Sequence, residues 1–383
     1  MNILVAAAHG LYQDYTASFV HNQIKEYVQA GHRVRAVVPV AWGKKTPELS
    51  RISAPVVRII RDGVEIFYVR CLSLSEWGQH TFNPPAAEKA VMLCMNTLLK
   101  DFRPDIIHAH GILFGGRIGV RFKERCKVPL VITTHGGDTD VSLTEGQKET
   151  ALRICDCADR IVAVSPLYME KTRQIGTKTP LLCILNGFNL SYAVKAEKKA
   201  YSLLQVSSFI KRKHTDLTIR AAAELKKTFP ALTLTLIGCG VEQENLEKLV
   251  RELKAESYVN FTGFLSNADV MRKMAESEIF LLPSTEEGFG IVYTEAMASG
   301  CITVGTEGEG IDGVIRNGVN GFLVKPNDVQ SIVETVSRCF KNPKEAKKAA
   351  ENGQASAKGL SWERNAAEYL KLFEALRKNR FPA

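Results

Sequence analysis

Glu287 and Glu295 bracket one short stretch, STEEGFGIVYTEAMASG, residues 284–300. Between them Gly288 and Gly290 let the backbone approach a ligand closely and adopt angles closed to other residues. The apolar run IFLLP before the turn is strand-like, which places Glu287 at a strand-to-helix corner and Glu295 about a turn and a half inside the helix. Such a helix start, at Phe289 and Ile291, offers unpaired N–H groups and a positive dipole end, suited to a diphosphate. A carboxylate at 295 can accept bonds from a vicinal diol such as ribose, and one at 287 can reach hydroxyls beyond the phosphate. The spacing fits a ligand with sugar, diphosphate and nucleoside in line. It fits equally a helix with one capping and one exposed glutamate.

Other residue groups have the same two-sided character. Lys211, Arg212 and Lys213 follow a strand-like run in SSFIKRKHTD, as an anion clamp or a solvated basic turn. Gly238 and Gly240 in IGCG form a second glycine turn after a strand. HAHG places His108 and His110, and THGGD places His135 and Asp138, at two strand ends. Strand alternation points His108 and His110 to one face, so the one nearer the strand end is expected to reach a ligand. Asp138 is a candidate to orient or deprotonate a hydroxyl; a strand-end histidine is also an ordinary structural residue. Arg117, Arg121 and Arg125 fall at i, i+4 and i+8, one helical stripe with Lys123 and Lys127 nearby. That stripe suits anionic lipid headgroups, or a plain solvated face.

The elements that must position these residues alternate in type. NILVAAA, RVRAVVPV, DIIHAHG, LVITTHGGD and RIVAVS read as parallel strands separated by amphipathic helices such as FVHNQIKEYVQAG. A polar, Lys-rich stretch, LSYAVKAEKKAYS, reads as a linker. A second series follows: SLLQVSSF, LTLTLIGCG, VNFTGF, SEIFLLPS, CITVGT and GFLV. The 383 residues thus divide into an α/β domain over 1–195 and a second over 196–365, with a terminal helix over about 366–383 returning to the first. Two doubly wound domains are expected to face each other across a cleft at the carboxyl ends of their strands.

Composition excludes several classes. The opening MNILVAAAHG has no cationic segment or cleavage pattern and reads as a buried first strand, and no apolar run approaches a bilayer span. Nine dispersed cysteines without CxxC spacing point to reduced thiols in a cytoplasm and to no zinc site. Residues 1–195 hold 24 Lys and Arg against 17 Asp and Glu, and 196–383 hold 26 against 24. The positive first part favours an anionic substrate or membrane surface; nucleic acid, without any binding signature, is not expected.

Residues 186–328 contain NGFN, SSFIKRKHTDLTIRAA, LIGCGVEQENLEKLV, VNFTGFLS, FLLPSTEEGFGIVYTEAMASG and GIDGVIRNGVNGFLV, in that order. This resembles the nucleotide-sugar-binding half of the retaining glycosyltransferases of family 4, with their two-Rossmann GT-B architecture. The resemblance implies donor contacts for Glu287 and Glu295, and Lys213 matches the family's diphosphate-binding Lys. Ser208 stands where the family has its second cation, an Arg, and His214 where it has Gly. Gly238 and Gly240 look like the loop beside the nucleoside, and Phe264 and Leu265 match the segment whose backbone reads the base, uracil being the family's commonest. His110 matches the histidine near the transferred sugar and acceptor. The family's early Gly-Gly is absent: Thr16–Ala17 stand there, with Gly10 earlier.

The resemblance therefore implies transfer of a hexosyl group from a nucleotide diphosphate sugar to a hydroxyl of a glycan or lipid-linked acceptor. No DxD motif occurs, so no metal cofactor is expected. In the implied mechanism the donor phosphate takes the acceptor proton on the face from which the leaving group departs. EGIDGVI and FVHNQ point toward cell-surface polysaccharide synthesis, on the inner membrane face. Two readings stand beside it: a catalytically weak nucleotide-sugar-binding assembly protein, and a sugar-nucleotide epimerase of the same architecture. A dehydrogenase is poorly supported, since no GxGxxG follows the first strand.

Overall fold

The computed structural model describes residues 1–7, 18–41, 54–71, 84–136, 143–189 and 196–380. It divides into two compact units: Met1–Val164 with Tyr168–Gly187 and Trp362–Ala383, and Phe188–Ser361 with Ser165–Leu167. The chain passes between units at Gly187/Phe188, earlier than the 195/196 boundary read from the Lys-rich stretch, and the returning segment begins at Trp362 rather than 366. Polarity located the linker too late because residues 196–198 already lead into a strand: Lys198 is anchored through Nζ to the carbonyls of Met274 and Ser299, at 2.9 Å each.

The first unit holds β1 (Asn2–Ala7), α1 (Ser18–Gln29), β2 (Arg33–Ala41), β3 (Val56–Arg61), β4 (Val64–Cys71), α2 (Pro84–Leu99), β5 (Ile106–His110), α3 (Arg117–Cys126), β6 (Leu130–Thr134), α4 (Glu145–Asp156), β7 (Arg160–Ala163), α5 (Pro166–Arg173) and β8 (Leu181–Cys183). They form an eight-stranded sheet in the order β3-β4-β2-β1-β5-β6-β7-β8. All pairings are parallel except β3 with β4. That hairpin departs from the expected run of parallel strands. Its turn is Asp62–Gly63, at φ 47° and 77°, the positive angles a tight two-residue hairpin needs.

The second unit holds β9 (Lys199–Val206), α6 (Thr215–Thr228), β10 (Thr233–Ile237), α7 (Gln243–Glu252), β11 (Val259–Gly263), α8 (Asn267–Glu276), β12 (Ser277–Leu281), α9 (Ile291–Ala298), β13 (Ile302–Thr306), β14 (Phe322–Val324), α10 (Val329–Lys341) and α11 (Pro343–Ala357). Its six strands, all parallel, run β11-β10-β9-β12-β13-β14. Both sheets are apolar on both faces because helices cover both, which is why their strands read as unbroken runs of Val, Ile and Leu. The last helix, α12 (Trp362–Arg380), buries Ala366, Tyr369, Phe373 and Leu376 in the first unit's core with Tyr27 of α1.

Strand order fixes where a ligand can sit. In the second unit order reverses between β9 and β12, so the loops that leave their carboxyl ends diverge to opposite faces and open a crevice. Those loops are 207–214 and 282–290. The matching reversal in the first unit lies between β1 and β5, at whose ends Ala7 and His110 are register partners.

Candidate functional site

The loop after β9 ends in one turn of 3-10 helix, Lys211–Lys213, closed by His214 in the left-handed region at φ 47°. Glycine is the usual residue for such an angle; histidine is among the side chains that tolerate it. His214 is anchored there by Nε2 at 2.8 Å from Thr285 Oγ1, while the Thr285 N–H donates to the Arg212 carbonyl at 2.8 Å. These bonds tie the loop after β9 to the loop after β12.

The tie aligns charges. Lys213 Nζ donates to Glu287 Oε2 in a close ion pair, with both side chains nearly buried (11% and 13% exposed). Arg212 Nη1 stands 4.0 Å from the same oxygen and donates to the Glu286 carbonyl at 3.3 Å. Ser284 Oγ lies 3.4 Å from Oε2 and 2.9 Å from the Tyr293 hydroxyl, which donates to the Leu282 carbonyl at 2.7 Å. Every partner of the Glu287 carboxylate is on Oε2; Oε1 has none among the described residues. Of the three cations, the structure brings Arg212 and Lys213 to Glu287, whereas Lys211 is exposed.

The glycines of the turn have separate reasons. Gly290 sits at φ 74° immediately before α9, and a side chain there would meet the Tyr293 ring at 2.5 Å. Phe289 is buried, so this residue has only its backbone to offer a ligand. Ile291 opens α9, and Glu295 lies one turn further on, partly buried, its carboxylate without a hydrogen-bond partner among the described residues. Burial raises its carboxyl to about 7. Near neutrality this carboxyl can therefore either donate or accept a hydrogen bond.

Beside this turn, Gly238 at φ 136° and Gly240 pack directly on backbone: a Cβ would meet the Ser207 carbonyl oxygen at 1.9 Å or the Phe209 carbonyl oxygen at 2.3 Å. The loops after β9 and β10 are thus sewn together, with the Phe209 N–H donating to the Cys239 carbonyl at 2.8 Å. The Gly238 N–H reaches the Gly263 carbonyl at 3.0 Å, which brings in the segment carrying Phe264 (57% exposed) and Leu265, the latter packed against the core. Ser208 is exposed.

In the first unit, alternation does put His108 and His110 on one face, with ring centroids 4.2 Å apart. Their roles differ. His108 is fully buried and bonded at both nitrogens: Nε2 is 2.8 Å from Thr133 Oγ1, itself 2.9 Å from the Tyr369 hydroxyl, and Nδ1 is 3.4 Å from the Tyr27 hydroxyl. His110 Nδ1 pairs with His135 Nε2 at 2.9 Å, while His110 Nε2 is buried with no partner among the described residues. Burial lowers His108 and His135 to about 3 and His110 well below its usual value, so all three rings are neutral at pH 7. The chain leaves β5 through a π-helical turn, Gly111–Gly116, and a Cβ on Gly115 would meet the His110 and Ala6 carbonyl oxygens at 2.3 and 2.5 Å. Asp138, Gly10 and Thr16–Ala17 lie outside the described residues.

The arginine stripe requires correction. Arg117 and Arg121 do lie on α3, but both turn to Glu88 of α2, at 3.2 and 2.6 Å, and Arg121 also pairs with Glu124 at 3.0 Å. Only Arg125 of the three is exposed. Two of the three charges serve to neutralise a buried carboxylate. Among the described residues no helix is long and apolar enough to cross a membrane.

Several residues of the site around Glu287 were not singled out in sequence. Ser284 and Tyr293 flank the acidic turn and could have been found by proximity. Glu309 and Gly310 lie 22 and 23 residues beyond Glu287 and meet it only in space: Glu309 Oε2 accepts the Glu287 N–H at 3.0 Å, and the Gly310 N–H donates to the Glu287 carbonyl at 3.1 Å.

The chain is similar to known proteins in sequence and in fold. The family model described as Glycosyltransferase Family 4 matches residues 16–192, and that described as Glycosyl transferases group 1 matches 191–356. An uncharacterized glycosyltransferase of Methanocaldococcus jannaschii is 26% identical over 273 residues, 71% of this chain and 76% of its own. An alpha-monoglucosyldiacylglycerol synthase of Acholeplasma laidlawii is 24% identical over 291 residues, 68% of this chain and 72% of its own. Among solved structures, the sucrose-phosphate synthase of Thermosynechococcus elongatus superimposes with a TM-score of 0.79 at 20% identity, covering 98% of both chains. Anabaena HepE, solved with UDP and glucose, gives 0.77 at 19% identity over 98% of this chain and 100% of that one. With two Rossmann-like sheets, an acid–base pair at the switch point of the second, and the two family matches in succession, this chain is a glycosyltransferase of the GT-B architecture.

Proposed function

We propose that the chain transfers a hexosyl group, with retention of configuration and without a metal, from a uridine diphosphate sugar to a hydroxyl. The acceptor is a glycan or lipid-linked saccharide of cell-surface polysaccharide synthesis. One observation carries the reading: Glu287 is clamped through Oε2 while Oε1 stays open, beside two cations and a glycine-led helix start. A diphosphate entering at Gly288–Ile291 competes with Glu287 for Lys213 and Arg212. The cations then hold the departing nucleotide's charge, and Glu287 turns to the sugar hydroxyls. In this reading Glu287 orients the sugar through its hydroxyls rather than attacking it. Glu295 binds the ribose diol, and Gly238, Gly240 and the Phe264–Leu265 backbone border the base. A donor phosphate oxygen takes the acceptor proton. His110, through its unpartnered Nε2, and His135 serve the transferred sugar and acceptor, with Asp138 as the orienting carboxylate. The relatives support a sugar-nucleotide donor: HepE was solved with UDP and glucose, and the Acholeplasma protein is an alpha-monoglucosyldiacylglycerol synthase.

The test is a thermal-shift comparison of UDP, GDP, ADP and their glucose conjugates, followed by donor hydrolysis. A uridine ligand at 100 times its dissociation constant is expected to stabilise by about 2.7 kcal/mol. Slow release of UDP from the conjugate should vanish in Glu287→Ala. Larger shifts with a guanosine or adenosine ligand would reassign the base. Binding with no turnover on any acceptor would make the chain a nucleotide-sugar-binding module.

A further inference from the structure

We infer that Glu309 is a positioning residue for this site: its carboxylate fixes the Glu287 peptide, and so the direction in which Glu287 presents its open oxygen to a sugar. The inference rests on the donor reading above and adds a residue outside the glutamate pair.

The geometry is a two-point grip. Glu309 Oε2 takes the Glu287 N–H at 3.0 Å, and the next residue's N–H, from Gly310, gives to the Glu287 carbonyl at 3.1 Å. Both backbone polar groups of Glu287 are therefore held by consecutive residues of one loop. Neither bond belongs to a strand or helix, since β12 ends at Leu281 and α9 begins at Ile291. Without Glu309 the Glu287 N–H has no other partner among the described residues, and an unmet donor in a half-buried turn is costly. A carboxylate is a stronger acceptor for it than a neutral group.

The gripping loop is itself rigid. Ile311 is fully buried in the core that contains Tyr293. The Asp312 carboxylate accepts the Gly308 N–H at 2.8 Å, and the Asp312 N–H donates to the Glu309 carbonyl at 2.8 Å. Gly310 must lack a side chain, because a Cβ would lie 2.3 Å from both the Glu287 and Gly288 carbonyl oxygens. The gripped turn, by contrast, is strained. Glu286 holds φ 55°, a left-handed angle unfavourable for a side-chain-bearing residue. Such an angle persists only when its surroundings over-determine it. Release of the Glu287 N–H lets Glu286 relax toward ordinary angles and swings the Glu287 carboxylate away from both Lys213 and the sugar.

Positioning predicts a specific split. The diphosphate and base contacts come from Lys213, Arg212, the Gly288–Ile291 helix start and the loops after β10 and β11; of these only the helix start adjoins Glu287, and Tyr293 anchors it apart from Glu309, its N–H on the Gly290 carbonyl and its hydroxyl on that of Leu282. The sugar contact does. The test compares the wild type, Glu309→Ala and Glu309→Gln, the last retaining an acceptor oxygen at the same reach. Two measurements are made on each: amide hydrogen exchange at Glu287, and calorimetric binding of UDP, GDP and ADP with the matching glucose conjugates. The expected result is loss of Glu287 amide protection in Glu309→Ala with largely retained protection in Glu309→Gln. The affinity gained from the glucosyl group should fall by about ten-fold in Glu309→Ala, with nucleotide affinity unchanged and Glu309→Gln within about three-fold of wild type. Unchanged exchange at Glu287 overturns the inference, as does an equal loss of nucleotide and conjugate affinity, which marks a merely structural role. Wild-type protein that binds none of the nucleotides overturns the donor reading instead, while the exchange result still decides whether Glu309 holds the turn.

Discussion

Lys213 and Glu287, 74 residues apart in sequence, share one ion pair that uses a single oxygen of the carboxylate. The asymmetry has an energetic consequence. Each charge is nearly buried, so removal of one strands the other. Lys213→Met and Glu287→Gln are each expected to cost about 2 kcal/mol of stability. The double variant should cost clearly less than their sum, by about 1 kcal/mol or more. Urea unfolding of the four proteins checks this; strict additivity would mean that the pair is not formed in solution.

Glu295 predicts a pH dependence. Its carboxyl titrates near 7 when folded and near the ordinary carboxylate range when unfolded. Between those values the folded state holds the extra proton, so this group's contribution to stability falls as pH rises through 7. Glu295→Gln removes that penalty: it should be more stable than wild type by about 2 kcal/mol at pH 8 and similar at pH 5. It should also bind a nucleoside diphosphate more weakly. Melting curves at both pH values and one titration decide the matter.

The histidine trio acts in the opposite direction. His108, His110 and His135 are depressed by burial, so the unfolded chain takes up protons below about pH 6.5 that the folded chain refuses. Stability is therefore retained above that pH and lost as pH falls, by up to about 1.4 kcal/mol per pH unit for each ring. Ring proton or nitrogen signals should show no titration between pH 8 and 5. A mid-point near 6.5 at His108 would contradict the buried placement.

Gly310→Ala is the simplest steric test. Its methyl group cannot coexist with two carbonyl oxygens at 2.3 Å, so the turn must shift. A cost of about 2–4 kcal/mol is expected, with loss of donor binding beyond what the stability change explains at low temperature. Wild-type melting and binding would show that the loops after β12 and β13 are not packed together.

At α3 the expectation separates one arginine from two. Glu88→Ala leaves two guanidinium groups facing a vacated carboxylate and should cost about 1–2 kcal/mol. Arg125→Ala, exposed on the same helix, should change stability by less than about 0.5 kcal/mol. Equal effects would restore the uniform basic stripe.

How much was legible varies by element. The six strands of the second unit stand where their apolar runs place them, because a strand covered by helices on both faces has no polar alternation to mislead the eye. The β3–β4 hairpin carries a readable Asp62–Gly63 turn signal, but its strands lack the unbroken apolar run of the parallel ones. The unit boundary was displaced because Lys-rich composition resembles a linker even where Lys198 and Lys199 are already anchored or in a strand. His108 and His110 look alike in HAHG, yet one is satisfied at both nitrogens and the other open at one.

The residue types alone determined that this chain has two α/β units and carries a glycine-hinged acidic turn and a basic triplet. Those are properties of local pattern: period, turn chemistry and charge. Only tertiary structure decided that Lys213 and Arg212, not Lys211, face Glu287, that Arg117 and Arg121 answer Glu88, and that Glu309 holds the Glu287 peptide. The two contacts to Glu287 depend on strand order, because β12 lies between β9 and β13 and brings together loops that the chain writes far apart. No local period or spacing encodes which strand becomes whose neighbour; burial of both sheet faces does.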